Sequence, residues 1–175
     1  FLYLDDQSIS SLTEALDKCV NLVTLSLAHN GLSSGLRAIS KCSELWHLDL
    51  SRNQLTSLEG LEAFSALGHL DLSHNCLTVT ELQRLEDVQL VHLHIEGNPA
   101  INAELQAPWR HGMLKRVPHL WVLNGWFVDA AERDEAARLP DPPLAAKEAG
   151  GGGGDDEQDQ DPEVAAAPAP TPKFH

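Results

Sequence analysis

The heptad HLDLSRN at residues 47–53 returns as HLDLSHN at residues 69–75. Six of the seven letters are the same, and the two copies start 22 residues apart. Within each copy apolar and polar letters alternate, the period of a strand that turns its leucines to one side. So short a strand cannot bury those leucines alone. A chain that rewrites it at a fixed interval buries them by laying copy against copy.

Extended outward, the phrase recurs four times. LVTLSLAHNGL starts at Leu22, LWHLDLSRNQL at Leu45, LGHLDLSHNCL at Leu67 and LVHLHIEGNPA at Leu90. All fit L-x-x-L-x-L-x-x-N, with Asn30, Asn53, Asn75 and Asn98 spaced 23, 22 and 23. The opening FLYLDDQSI reads as the second half of an earlier copy with Gln7 in the Asn place. Its first leucine would precede residue 1, so the sequence is expected to be a fragment. After each strand the chain must turn inside the stack. An Asn side chain both donates and accepts there, so it is suited to satisfy the backbone of its own and neighbouring turns.

Pattern and period resemble the leucine-rich repeat, and the 22 to 23 interval resembles its SDS22-like subclass. The resemblance implies an α/β solenoid, curved and right-handed, with a parallel β-sheet on the concave face and short helices on the convex face. SSLTEALDKC, SSGLRAISKC, SLEGLEAFSAL and TVTELQRLEDV place apolar residues at helix spacing behind Ser or Thr, and they are expected to be those helices, capped by the hydroxyls. The domain is expected at residues 1–139: a partial repeat over 1–21, repeats starting near 22, 45, 67 and 90, and a cap over 98–128.

The cap expectation rests on NPAINAELQAPWRHGMLKRVPHLWVLNGWFV, Asn98 to Val128, which resembles the leucine-rich-repeat cap motif. Asn98, Pro99, Trp109, Arg110, Leu114, Pro118, Leu120, Leu123 and Gly125 match it; Asn124 replaces the usual Asp and Ala100 the usual Leu. VPHLWVLNG is expected to be the final edge strand, with the preceding helix across the open core. Trp109, Trp121 and Trp126 are expected to fill that end of the core, the alternative being a docking surface of exposed Trp126 and Phe127. AERDEAARL reads as solvated helical turns leaving the cap.

Beyond Leu139 come PDPP, five glycines from Gly150 to Gly154, DDEQDQD and APAPTP. Residues 140–175 have little to bury and are expected to be a disordered acidic tail. No Gly-Lys-Ser/Thr follows the glycines, which excludes a phosphate loop. The formal charge is −14; residues 1–139 hold 18 acids and 10 bases, net −8. That disfavours nucleic acid and anionic membrane, and it suits a basic partner for the tail. No apolar run reaches the length of a membrane span. Cys19, Cys42 and Cys76 are odd in number and lack a CxxC spacing, which argues against disulfides or zinc and for a reduced, intracellular setting. Cys19 and Cys42 are expected to be buried apolar groups.

In this repeat the variable strand letters face the concave side. Counting the first Leu as place 1, place 3 carries Phe1, Thr24, His47, His69 and His92. Place 5 carries Tyr3, Ser26, Asp49, Asp71 and His94, and place 7 Asp5, Ala28, Ser51, Ser73 and Glu96. Asp6, His29, Arg52, His74 and Gly97 sit at the rim, place 8. Neighbouring histidines would lie one strand spacing apart, roughly 4.8 Å. The candidate partner-binding residues are Trp46, His47, Asp49, Arg52, His69, Asp71, His74, His92, His94 and Glu96. Two other readings of the histidines stand beside this one: polar filler where solvent requires it, and a metal- or pH-dependent binding module built on His47, His69 and His92.

No nucleophile elbow, zinc-protease helix or dinucleotide fingerprint appears, and an open sheet face lacks the closed pocket that catalysis needs. No catalytic, cofactor-binding or metal residue is therefore assigned, and no cofactor is expected. The function expected is a non-catalytic scaffold or adaptor holding a protein on the concave face. LSSGLRAISKCSELWHLDLSRNQL resembles the acidic leucine-rich nuclear phosphoproteins, which implies histone or phosphatase binding in the nucleus. The longer cap resembles the capped SDS22-like adaptors instead, a group that includes the leucine-rich dynein light chain, the spliceosomal A-prime protein and many ciliary or centrosomal proteins. That implies a cytoplasmic, cytoskeletal or ciliary setting.

Overall fold

The computed structural model describes residues 1–140 apart from 14, 15, 17 and 105–108, and the backbone alone of 102–104 and 109. All but the first residue of the expected tail lies outside the described residues. Each copy of the phrase supplies one strand. β1 (Leu2–Tyr3), β2 (Thr24–Ser26), β3 (His47–Asp49), β4 (His69–Asp71), β5 (His92–His94) and β6 (Val122–Leu123) lie side by side in chain order and run parallel. Register follows the lettering: Leu2, Leu25, Leu48, Leu70, Leu93 and Leu123 pair in one row. From Leu25 onward these leucines are buried, joined by Leu27, Leu50, Leu72 and Ile95 from the places two residues on. A solenoid core results, in which each coil covers its neighbour.

The return segments are helical but tighter than their spacing suggests. They form 3-10 helices at Leu36–Ile39, Leu61–Ala63 and Val79–Leu85, and the earliest return segment is described only in part. A 3-10 helix rises about 2 Å per residue against 1.5 Å in an α-helix, so it crosses the short back of a 22-residue coil with fewer residues. In these three helices the expected hydroxyl caps are absent. Gly35 and Gly60 open two of these helices at φ 106° and 102°, and Thr78, which opens the third, makes no side-chain cap bond. Glu81 reaches to the preceding coil instead, accepting from Leu58 N at 2.7 Å and Ser57 Oγ at 3.3 Å.

The asparagines stitch coil to coil. Asn75 Oδ1 accepts from Leu55 N, while its Nδ2 donates to Leu50 O, Leu72 O and Ser73 O at 2.9, 3.0 and 3.3 Å. Asn30, Asn53 and Asn98 repeat that pattern, each bridging to the coil before it. Asn124, standing for the usual Asp of the cap, accepts from Ile95 N at 2.8 Å. Just before the ladder, the rim residues Asp6, His29, Arg52 and His74 take φ between 53° and 57°, and Gly97 takes 74°.

The cap differs from expectation in three respects. β6 is not the edge, because Trp126–Phe127 forms β7, which turns back antiparallel on it. The AERDEAARL stretch is not free in solvent: α3 (Ala130–Arg138) follows α1 (Pro99–Glu104) and α2 (Trp109–Arg116) and docks on the cap. Ala136 is buried, Asp129 caps the α3 N-terminus through Glu132 N, and Arg133 Nη1 donates to Pro118 O at 2.6 Å. Thirdly, Trp121 and Trp126 do not fill the core; they are 66% and 75% exposed. Met113, Leu114, Val117, Leu120 and Leu123 close it instead. Trp109's side chain lies outside the described residues.

Arg110 ties this end together. Its Nη1 donates to Leu123 O at 2.9 Å, its Nη2 to Trp126 O and Phe127 O at 3.4 and 3.3 Å, and it is ion-paired with Glu132. Arg110→Ala leaves the Leu123 carbonyl and the Glu132 carboxylate without that partner. A loss of about 2 kcal/mol in urea unfolding is expected, with faster amide exchange confined to β7 and α3.

Of the cysteines, Cys42 is buried as expected, Cys19 is half-buried and Cys76 exposed; none is in a disulfide. Among the described residues no helix is long and apolar enough to cross a membrane.

Candidate partner-binding face

Parallel register brings the place-3 letters of four coils side by side: Thr24 with His47, His47 with His69, and His69 with His92. The rings stack. His47 and His69 have centroids 5.6 Å apart with planes 18° from parallel, and His69 and His92 are 4.1 Å apart at 23°. Trp46, at the flank, tilts against His69 at 5.6 Å and 55°, and stays 46% exposed. Its indole needs Gly68 beneath it: a Cβ there would stand 2.3 Å from the ring. His74 rests over Gly97 in the same manner, where a Cβ would come within 2.5 Å of Nδ1. Neither glycine is marked by the repeat lettering as part of a site. The signal is a glycine one repeat further along, next to a large ring.

Place 5 forms the adjoining row, with Ser26, Asp49, Asp71 and His94 in register. These aspartates have a structural duty as well. Asp49 Oδ1 accepts from Ser51 N at 2.9 Å, and Asp71 Oδ1 from Ser73 N and Ser73 Oγ at 2.9 and 2.6 Å, closing the turn after each strand. Asp5 does the same one coil earlier, from place 7, for Ser26 Oγ and Ala28 N. Glu96, Arg52 and His74 are exposed at the rim side. All ten candidate residues therefore meet on one face, its rim or its flank.

His69 and His92 are harder to protonate than a free histidine. Partial burial is the main cause for both; His92 and His47 add repulsion at His69, and His94 and His47 at His92. Between the ordinary value of 6.5 and these lower folded values the unfolded chain binds more protons than the folded one. Stability accordingly falls as pH drops through that window and levels off below the folded values. The melting temperature is expected to fall on going from about pH 7.5 to about pH 5, and to fall less in a His69→Gln/His92→Gln double variant. An equal fall in both proteins would contradict this origin.

Among the described residues no group of three or more His, Cys, Asp or Glu is placed to hold a metal ion. The metal form of the histidine reading is therefore set aside. What remains is a firm polar and aromatic surface whose backbone is fixed by the sheet.

The sequence model of the Leucine Rich Repeat family matches residues 44–67, which span β3 and the return to β4. No curated protein matches the chain. Among solved structures, a chain of the Drosophila melanogaster SNF/U2A' complex superposes with TM-score 0.66 at 24% identity, over 77% of each chain. An internalin of Listeria monocytogenes superposes with TM-score 0.53 at 20% identity, over 69% of this chain and 35% of that one.

Proposed function

We propose that this chain is a non-catalytic scaffold that holds a protein partner on the exposed sheet face, with Trp46 and the imidazole stack as its centre. The observation that carries this reading is the stack itself. Three rings from three coils are held in contact by register, with an indole half-exposed beside them. Because the sheet is already ordered, a partner meets it without the chain losing further conformational freedom, which favours affinity. A partly exposed tryptophan packed beside such a stack is a residue type enriched among the anchors of protein contacts. The fold likeness to a chain of the SNF/U2A' complex is in keeping with a role in assembly. The alternative in which residues 140–175 hold basic proteins concerns a segment that, apart from Pro140, lies outside the described residues.

The test is co-purification of the tagged full chain from cells, compared with Trp46→Ala and His69→Ala. Both side chains are at least partly exposed, so both variants are expected to fold. Partner recovery is expected to fall at least several-fold, on the order of the 1 to 2 kcal/mol carried by an interface aromatic. Recovery unchanged in both, but lost in Trp126→Ser, would move the contact to the cap and overturn this proposal.

A further inference from the structure

Charge is unevenly divided between the two surfaces of the repeat. On the return side three glutamates pair with arginines: Glu59 with Arg37 at 2.8 Å, Glu81 with Arg84 at 3.2 Å, and Glu86 with Arg116 of the cap at 2.7 Å. The sheet face has no such matching. Places 3, 5 and 7 of β1 to β5 carry four carboxylates, Asp5, Asp49, Asp71 and Glu96, and no lysine or arginine. Among the described residues none of the four is in an ion pair; Asp5, Asp49 and Asp71 accept only from backbone N–H groups and serine hydroxyls. Alongside them runs the ring stack, close to parallel and backed by Trp46.

The rings cover one another's inner faces, so a partner meets the outer face of His47, towards Thr24, and that of His92, towards Val122. A flat cation seated there lies against a ring and beside the carboxylates of the adjoining row. Guanidinium stacks on an aromatic face and donates paired hydrogen bonds to a carboxylate. An ammonium meets the charge but not the planar surface. We propose that the partner seated on this face is a basic segment that presents arginine to the imidazole stack and the carboxylate row. The proposal rests on the scaffold reading above and adds the chemistry of the partner.

Acid releases such a partner. The titratable and charged groups on this face are His47 and Asp49 of β3, His69 and Asp71 of β4, and His92 and His94 of β5 with Glu96 just after it. To these are added Tyr3 of β1 with Asp5 just after it, and Asp6, His29, Arg52 and His74 at the rim. β2 and β6 bring none, their letters being Thr24, Ser26 and Ala28 on one side and Val122 on the other. Protonation of His69 and His92, which burial and the neighbouring imidazoles oppose, places positive charge in the stack and repels the guanidinium.

The experiment titrates the full chain, by fluorescence anisotropy at low salt, with a labelled decapeptide of alternating arginine and serine and with its lysine counterpart. The arginine peptide is expected to bind about tenfold more tightly, the scale of a desolvated cation–ring contact. His47→Ser/His69→Ser/His92→Ser removes the rings and abolishes that preference. Asp49→Asn/Asp71→Asn keeps the Oδ1 acceptors of both turns and weakens both peptides about tenfold. Acidification to about pH 5.5 weakens the arginine peptide in the parent and much less in the histidine variant. Equal affinity for the two peptides, affinity untouched by the face variants, or no binding would overturn the proposal. In those cases a loss of cellular partner in Trp46→Ala would still uphold the scaffold reading. Peptide binding as expected, with partner recovery intact in Trp46→Ala and His69→Ala, would overturn the scaffold reading alone.

Discussion

Asn75→Ala is expected to lower the unfolding free energy by about 4 kcal/mol, a large share of the stability of a domain this size. Asn75 is 3% exposed and uses both ends of its amide. Its loss leaves Leu55 N without an acceptor and removes a donor from Leu50 O, Leu72 O and Ser73 O. Each buried polar group left without a partner costs about 1 to 3 kcal/mol, and alanine adds a small void. Asn98 is fully buried, so the same change there should have a comparable effect. Gln7 occupies the equivalent place at the first coil but is exposed, and its side chain bonds only locally, to Asp5 O at 2.8 Å. Gln7→Ala should therefore cost less than about 0.5 kcal/mol. Urea unfolding of the three proteins checks the pattern; equal losses at positions 7 and 75 would contradict the ladder as the source of stability.

Gly60→Ala is expected to cost about 3 kcal/mol, through two independent effects. At φ 102° the backbone lies in a region that residues with a Cβ rarely adopt, and that strain is felt whatever the space around it. The added Cβ would also stand 2.6 Å from Arg37 N and 3.0 Å from its Cα, backbone of the preceding coil that cannot swing aside. Gly31 is the comparison. A Cβ there meets nothing nearer than Ile9 O at 3.6 Å, and the position has no left-handed φ. Gly31→Ala should change stability by less than about 1 kcal/mol. A neutral Gly60→Ala would mean that adjacent coils are further apart than described.

The repeat lettering made the sheet legible because it is a local rule applied four times. Once His47 and His69 are known to be equivalent letters, parallel stacking makes them neighbours, and the ring stack follows without further information. The asparagine ladder was legible for the same reason: a side chain that donates and accepts was needed once per coil. The back of the coils was less so. Apolar spacing of three and four suits α and 3-10 geometry alike, and the choice is made by how much length each coil must span. The hydroxyls of Ser33, Ser34 and Thr78 look like caps in sequence, but Gly35 and Gly60 set the entry to two of the helices by their backbone alone. In the cap, repetition no longer helps. Whether Trp121 and Trp126 turn inward depends on the β6–β7 hairpin, whose two-residue strands are too short to carry a readable alternation. The docking of α3 depends on Arg110, Glu132 and Arg133 meeting across the cap, contacts that no local period encodes. The double duty of Asp49 and Asp71 was hidden as well, because a turn-closing carboxylate and a partner-facing one carry the same letter.

Site-resolved photo-crosslinking in cells tests the central claim most directly. Benzoylphenylalanine is placed singly at Thr24, His47 and His94 on the sheet face, and at Ser43 and Arg84 away from it. Crosslinks to one and the same partner from the three face positions, and none from the other two, are predicted. Crosslinks from Ser43 or Arg84 with a silent sheet face would contradict the account.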